Sequence, residues 1–298
     1  MPSKDILATL AAGKVLVLDG ATGTNLQARG LESGQLSESW MLEHPEKILQ
    51  LHQDFIQAGA NVILTCSFNG NRYRLQHADL QDKADEINRK AAALAKQAAE
   101  GTDVFVAGSL GPTGQMLTPL GTLDPADAEA SYAAQAVSLA AAGVDLLVIE
   151  TQFDLGEALA AVKGVRSVSS LPLAVSFSYE RAGRTMMGVK PAQAAAELQQ
   201  FKVDILGINC GRSLDENMKA LRELRSATSL PIWFKPNAGL PRVDESGNTV
   251  YDVSPQDMGG NVPVWLEAGA SLVGGCCGTS PEHLAAIAAM ICRLDAAS

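Results

Sequence analysis

Two segments far apart in the chain carry three thiols in settings that suit metal chemistry. GGCCGT (274–279) puts Cys276 beside Cys277, and INCG (208–211) carries Cys210. Neighbouring residues of a regular strand face opposite ways, so two adjacent thiols reach one point only where the chain bends. Gly274, Gly275 and Gly278 permit that bend. Three thiolates suit Zn²⁺, a borderline-soft ion that takes tetrahedral sulfur and nitrogen ligands. A structural zinc site normally has four protein ligands; three leave one position open for a substrate. A thiol arriving there would be held as thiolate near neutral pH, where a free thiol is mostly protonated. That chemistry favours activation of a sulfur nucleophile over production of hydroxide. The remaining cysteines read differently. Cys292 lies on the apolar side of a C-terminal helical pattern and reads as packing. Cys66 lies at a strand end, with Thr65 and Ser67 directed away from it.

The elements that must position these thiols are legible as alternation. Eight short apolar runs read as buried parallel strands: 15–20, 61–68, 104–111, 146–152, 173–179, 205–210, 231–237 and 271–278. Between them lie amphipathic helical patterns at 45–58, 82–99, 126–142, 155–168, 191–200, 214–227, 255–268 and 281–294. Several start on Pro, Asp or Ser, which suit a first helical turn. AGAN, AGVD and AGAS place a glycine where a helix stops before a strand. Eight such units predict an α/β fold, a single (β/α)8 barrel domain over 1–298 with its active site at the C-terminal strand ends. The runner-up is an open doubly wound sheet, but DGATGT (19–24) is not G-x-G-x-x-G. Polar residues end the runs: Asp19, Ser109, Glu150, Ser176, Asn209, Lys235 and Asn237 among them. The longest gap, 21–44, is expected to form a lid over the barrel mouth.

Composition narrows the partners. The 298 residues are 47% hydrophobic and carry a net charge of −10, with no basic block to neutralise phosphates. No apolar run approaches the roughly 18 residues of a membrane span, and no basic stretch leads an apolar core at the start. The reading is a cytoplasmic protein with neither nucleic acid nor membrane as partner. Five cysteines, two of them adjacent, do not make a secreted disulfide framework. A vicinal disulfide at Cys276–Cys277 is not expected as the resting state in a reducing compartment.

DGATGTNL (19–26), GPTG (111–114), IET (149–151), INC (208–210), PNAG (236–239) and GGCCGT (274–279) together resemble the homocysteine S-methyltransferase family, over about 14–293. That family includes the homocysteine-binding module of cobalamin-dependent methionine synthase and the betaine–homocysteine methyltransferases. The resemblance implies a zinc-dependent barrel that methylates homocysteine, or a related small thiol, to give methionine. It implies Cys210, Cys276 and Cys277 as zinc ligands and Glu150 as the partner of the homocysteine ammonium. Asp19 with the backbone of Gly20, Ala21 and Thr22 would hold the amino-acid end, and Asn209 joins the substrate-binding set. Asn237 is a candidate fourth ligand when no thiol is bound. A carboxylate such as Glu150 in an apolar setting does want a cationic partner.

The methyl donor is read less sharply. The chain ends at Ser298, so a corrinoid would be expected on a separate protein. The other class is a small onium compound of the betaine type, for which Trp40 and Tyr73 could form part of an aromatic cage. FNGNRYRL (68–75) and RTMMGVKP (184–191) are similar to betaine-type bacterial members of the family. Two rival functions stand beside methyl transfer. Lys235 could form a Schiff base with Glu150 as acid–base partner, giving an aldolase-like lyase. The barrel could also buffer zinc or thiols without catalysis.

Overall fold

Most of the apolar runs become strands shorter than themselves, because their polar C-terminal ends turn away into loops. The computed structural model describes residues 4–243 and 249–296. Its strands are β1 (Leu16–Val17), β2 (Val62–Leu64), β3 (Phe105–Leu110), β4 (Leu146–Gln152), β5 (Leu173–Phe177), β6 (Ile205–Cys210), β7 (Ile232–Pro236), β8 (Pro241–Val243), β9 (Thr249–Tyr251) and β10 (Leu272–Val273). Eight are parallel, in the order β1-β10-β7-β6-β5-β4-β3-β2, and a parallel bridge between Leu18 and Val62 joins the two ends. The result is a (β/α)8 barrel. β8 and β9 form a separate antiparallel hairpin.

The helices are α1 (Ile6–Ala11), α2 (Thr22–Gln27), α3 (Trp40–Glu43), α4 (Pro45–Gln57), α5 (Arg72–Leu75), α6 (Ala84–Ala98), α7 (Pro125–Ala141), α8 (Leu155–Val168), α9 (Pro191–Leu198), α10 (Leu214–Ala227), α11 (Pro255–Glu267) and α12 (Pro281–Asp295). α4 and α6 to α12 match the eight helical patterns of the sequence to within two residues at each end. Their starts are fixed by side-chain caps: Asp124, Asp154, Ser213 and Ser254 each accept a first-turn N–H of the helix they precede. No helix among the described residues is long and apolar enough to cross a membrane.

Strand parity divides the core. Leu16, Val62, Leu64, Phe105, Ala107, Leu146, Val148, Ala174, Ile205, Trp233 and Leu272 cluster inside the barrel, while their neighbours pack outward on the helices. Helix α1, which the sequence pattern did not reveal, adds Ile6 and Leu10 to that inner cluster. The Lys4 ammonium ties it to the backbone carbonyls of Thr102 and Val104 at 2.6 and 3.0 Å. The 21–44 segment, expected as a lid, is anchored on the outer core. Leu26, Leu31, Trp40 and Met41 are buried in the outer core, so the segment is a packed wall.

Gly164 shows how closely the outer layer is fitted. A methyl group there would lie 2.3 Å from the Glu129 carbonyl oxygen of α7. Alanine normally favours a helix over glycine by roughly 1 kcal/mol. Gly164→Ala is expected to reverse that sign and cost about 1–3 kcal/mol through overpacking, read as a lower urea midpoint. An unchanged or higher midpoint would contradict the packing described.

Candidate functional site

The inward parity of the strands continues above the apolar layer as Ser109, Glu150, Ser176, Asn209 and Lys235. These polar side chains satisfy one another. Ser109 Oγ donates to Glu150 Oε1 at 2.5 Å. Asn209 Oδ1 accepts the Thr151 N–H at 2.9 Å and the Ser176 hydroxyl at 2.6 Å, and its Nδ2 donates to Thr151 Oγ1 at 2.7 Å. The Lys235 ammonium pairs with Asp19, whose other oxygen accepts the Leu64 N–H at 2.7 Å.

The thiols break this parity, and the backbone bends to let them. Cys210 follows inward Asn209 and sits at φ +55°, with Gly211 at φ +78°. A left-handed non-glycine residue costs roughly 1–2 kcal/mol. Asn217 offsets part of it by donating to the Cys210 carbonyl at 2.7 Å. Beyond β10 the chain leaves the sheet: Thr279 N–H and Oγ1 both donate to the Cys276 carbonyl, and Gly278 sits at φ +81°. The Tyr251 ring, from the β8–β9 hairpin, packs where a Gly278 side chain would be.

The three sulfurs all lie within 4.8 Å of one another. Cys210 Sγ is 2.8 Å from Cys276 Sγ and 3.9 Å from Cys277 Sγ. Two sulfurs 2.3 Å from one tetrahedral zinc lie about 3.8 Å apart. One separation already fits, and the other needs about 1 Å of spreading, within reach of small χ1 adjustments. Electrostatics point the same way. Hydrogen bonds from Cys210 and Cys276, with a further one from Tyr251, pull the Cys277 thiol down to about 3. Cys276 is pushed up to about 12, and Cys210 is raised by the hydrogen bonds it gives to the other two. The trio thus releases one proton readily and holds the others against like charge. A dication is what would draw the rest off. The residues fit a zinc ion by donor type, number and spacing.

The remaining charges are set by burial and by Lys235. Burial raises the Glu150 carboxyl to about 7, against the pull of Lys235 and with a push from Cys276. Burial also raises Asp19, opposed by Lys235 and the Leu64 N–H. At Lys235, burial works against the charge, but Asp19, Glu150 and Cys276 outweigh it and hold the pKa above the ordinary lysine value. An amine kept protonated and ion-paired is a poor Schiff-base nucleophile, which weighs against the aldolase-like alternative.

A cavity of about 490 Å³ opens over these groups, walled by the thiol trio, Glu150, Lys235 and the start of α2. Gly20, Ala21 and Thr22 line it, as the sequence reading has them. The Ala21 N–H, however, already donates to the backbone and hydroxyl oxygens of Thr279. Asp19 and Asn209 stand behind the wall as supports. Asn237 is held beside the trio by its own hydrogen bonds: Oδ1 accepts the Cys277 N–H and Nδ2 donates to the Gly211 carbonyl. Trp40 and Tyr73 do not line the cavity. Trp40 is buried under Lys47, and Tyr73 faces a separate groove beside Arg72 and Asp127. Among the described residues, the aromatic ones that do line it are Phe68 and Tyr251. Tyr251 comes from a hairpin with no strong pattern of its own, so only its aromatic character in a post-strand loop could have flagged it. Cys66 reaches the cavity wall but not the thiol trio. Cys292 is exposed rather than packed, since its helix turns that position to solvent.

A family model described as homocysteine S-methyltransferase matches residues 16–291. The methionine synthase of Mycobacterium leprae is 32% identical over 98% of the chain, and that of Mycobacterium tuberculosis is 31% identical over 97%. The chain spans about a quarter of the length of these relatives: 25% and 26%. Among solved structures, the metallated homocysteine methyltransferase MmuM of Escherichia coli superposes with a TM-score of 0.79 at 29% identity, covering 95% of this chain and 98% of that one. Its oxidised form gives 0.81 at 27% identity, covering 96% and 99%.

Cys276→Ser is expected to remove tight zinc binding, because two thiolates and a hydroxyl make a poor tetrahedral site. Zinc per chain after dialysis would fall from about one to a small fraction of that, with the far-ultraviolet circular dichroism unchanged. Full zinc retention in the variant would rule this trio out as the ligand set.

Proposed function

This chain belongs to the homocysteine S-methyltransferase family, and we propose that it transfers a methyl group to the sulfur of homocysteine, giving methionine. The observation that carries this reading is a shared cavity. Three convergent sulfurs and a buried carboxylate, Glu150, line one pocket that also holds the start of α2. Homocysteine has a thiol, an ammonium and a carboxylate, and the pocket offers a partner of the right kind for each.

Glu150 takes the ammonium, its carboxylate held in place by Ser109. Thr22 and Gly23, the first residues of α2, line the cavity and have no side-chain cap, so their N–H groups suit the carboxylate. Zinc held by Cys210, Cys276 and Cys277 would leave one position for the acceptor sulfur and favour its ionised form near neutral pH. Asp19 and Lys235 fix the charge balance beneath the site, and Asn209, whose Nδ2 lies 3.9 Å from Cys276 Sγ, fixes Thr151. The protein's contribution is orientation and a dry nucleophile rather than acid–base catalysis. A reduced thiol trio suits the cytoplasm. A small onium compound and a methylcorrinoid protein are the two donor classes such an acceptor site can serve.

Zinc-edge X-ray absorption tests the reading directly. Three sulfur neighbours are expected without substrate and four after homocysteine is added. Four before any thiol is added, or no change on addition, would overturn it. Glu150→Gln is expected to raise the homocysteine KM about 10- to 100-fold, the worth of one charged hydrogen bond of about 1.5–3 kcal/mol. Zinc content would stay at the wild-type level, which separates loss of substrate binding from loss of metal.

A further inference from the structure

The hydroxyls of Thr65 and Ser67, just beyond the end of β2, take no part in the acceptor contacts described above. The two residues are buried, at 2% and 0% exposure. In sequence they only flank Cys66. In the fold their hydroxyl oxygens meet at 2.7 Å and both reach the backbone of Ser109. Among the described residues, Ser109 supplies the one hydrogen bond that the Glu150 carboxylate accepts.

The arrangement follows from how β2 stops. Its ladder with β3 ends where the Thr65 N–H donates to the Ala107 carbonyl at 2.9 Å. The Ser67 N–H then turns back on the Thr65 carbonyl at 2.8 Å, so these backbone groups are used up locally. β3 runs on to Leu110, which leaves the N–H and C=O of Ser109 beside a strand that has already ended. Ser109 is 1% exposed, so bulk water does not take the place of the missing strand. The hydroxyls do. Thr65 Oγ1 accepts the Ser109 N–H at 3.0 Å, and Ser67 Oγ donates to the Ser109 carbonyl at 2.7 Å. A serine hydroxyl has one proton to give. With that proton on the Ser109 carbonyl, the Thr65 hydroxyl must donate to Ser67. The four groups form a closed ring with a single sense, from the Ser109 N–H through both hydroxyls to the Ser109 C=O. Gln135 of α7 braces the ring from outside, its Nε2 donating to the Ser67 carbonyl at 2.8 Å.

We propose that Thr65 and Ser67 are positioning residues for the ammonium end of the acceptor, acting through Ser109 on Glu150. The inference rests on the reading above that Glu150 takes the ammonium of homocysteine. Ser67 does not line the cavity, so its influence on a ligand there passes through the residues it holds. Cutting the ring at either hydroxyl leaves a buried backbone group of Ser109 without its partner, and the Ser109 backbone moves to recover one. Its side chain is then no longer aimed at the Glu150 oxygen. The thiol trio stands on β6 and on the turn after β10, outside the ring, and keeps its metal affinity.

Isothermal titration of the zinc-loaded full chain with two thiols tests this without a methyl donor. Homocysteine carries the ammonium, and γ-mercaptobutyrate is the same molecule without it. Ser67→Ala is expected to raise the homocysteine Kd about three- to tenfold, the worth of one neutral hydrogen bond, with the γ-mercaptobutyrate Kd within about twofold of wild type. Zinc content is expected to stay at the wild-type level. An unchanged homocysteine Kd, or an equal loss for both thiols, would overturn the proposal and leave the acceptor reading standing. A wild type that binds the two thiols equally would instead overturn the assignment of Glu150 to the ammonium, and this proposal with it. Should Ser67→Ala not fold, two substitutions at Thr65 decide the matter. Thr65→Val removes the hydroxyl at nearly constant shape and is expected to show the same loss for homocysteine alone. Thr65→Ser keeps the hydroxyl and is expected to bind both thiols as the wild type does. Equal homocysteine Kd values for these two variants would overturn the proposal.

Discussion

The parity of a closed parallel barrel is the constraint on which the rest of this molecule depends. Once Leu146 and Val148 face inward, Glu150 must as well, and the same count carries Ser109, Asn209 and Lys235 into the mouth. Every polar group delivered that way needs a partner, and the barrel closes them on one another through Ser109–Glu150, Asn209–Thr151 and Lys235–Asp19. The thiols are the exception. Cys210 lies out of phase and Cys276–Cys277 are adjacent, so neither set can converge on a regular strand. The left-handed turn at Cys210 and the glycine-flanked turn after β10 are the departures that bring sulfur to one point. Local strain is thus concentrated where chemistry is proposed and held there by surrounding hydrogen bonds.

The buried Lys235–Asp19 pair is an expensive element for stability alone, since desolvating two charges seldom returns a profit. Its place explains its retention. It lies beneath a cavity lined by carboxylates and thiols and, among the described residues, holds the one cation lining it. Removing the ammonium would leave Asp19 and Glu150 facing Cys276 without compensation, and Glu150 is already raised to about 7. An anionic Glu150, needed to hold an ammonium, therefore depends on Lys235 as much as on its own hydrogen bond. The same lysine that suggested a Schiff base in the sequence acts here as a fixed counter-charge.

What the sequence disclosed follows from what periodicity can carry. Eight helices and eight strands were legible because each long segment buries one face, and INCG with GGCCGT was legible because glycines beside thiols imply a bend. The short elements were not. Helix α1 and the β8–β9 hairpin contain too few residues to show a period, yet one plugs the inner core and the other brings Tyr251 to Cys277. Trp40 and Tyr73 failed as cage residues because a loop's aromatic side chain gives no sign of which way it turns. Trp40 turned into the core and Tyr73 into another groove. Asn237 is engaged locally for a related reason. An amide beside a tight turn has backbone groups within reach, and here the Cys277 N–H and the Gly211 carbonyl take both of its ends.

The cavity is built from two halves of the barrel that obey different rules. The sulfur half comes from β6, β7 and β10, where each functional group is pinned by strand register and short turns. The opposite wall comes from the long segments after β1 and β2, which supply Glu38, Phe68 and Asn69. A long segment tolerates changes of sequence and length far better than a strand end does. The converging sulfurs are thereby tied to the rigid part of the fold, while the opposite wall can vary without moving a sulfur. Within that wall, Glu38 is the point of contact between its two segments. Its hydrogen bonds to Asn69 and Ser37 tie the post-β1 wall to the post-β2 loop, so one buried carboxyl group fixes that wall. A glutamine there keeps the shape but sets an amide NH2 against the donors from Asn69 and Ser37, so the tie depends on a group that accepts at both oxygens.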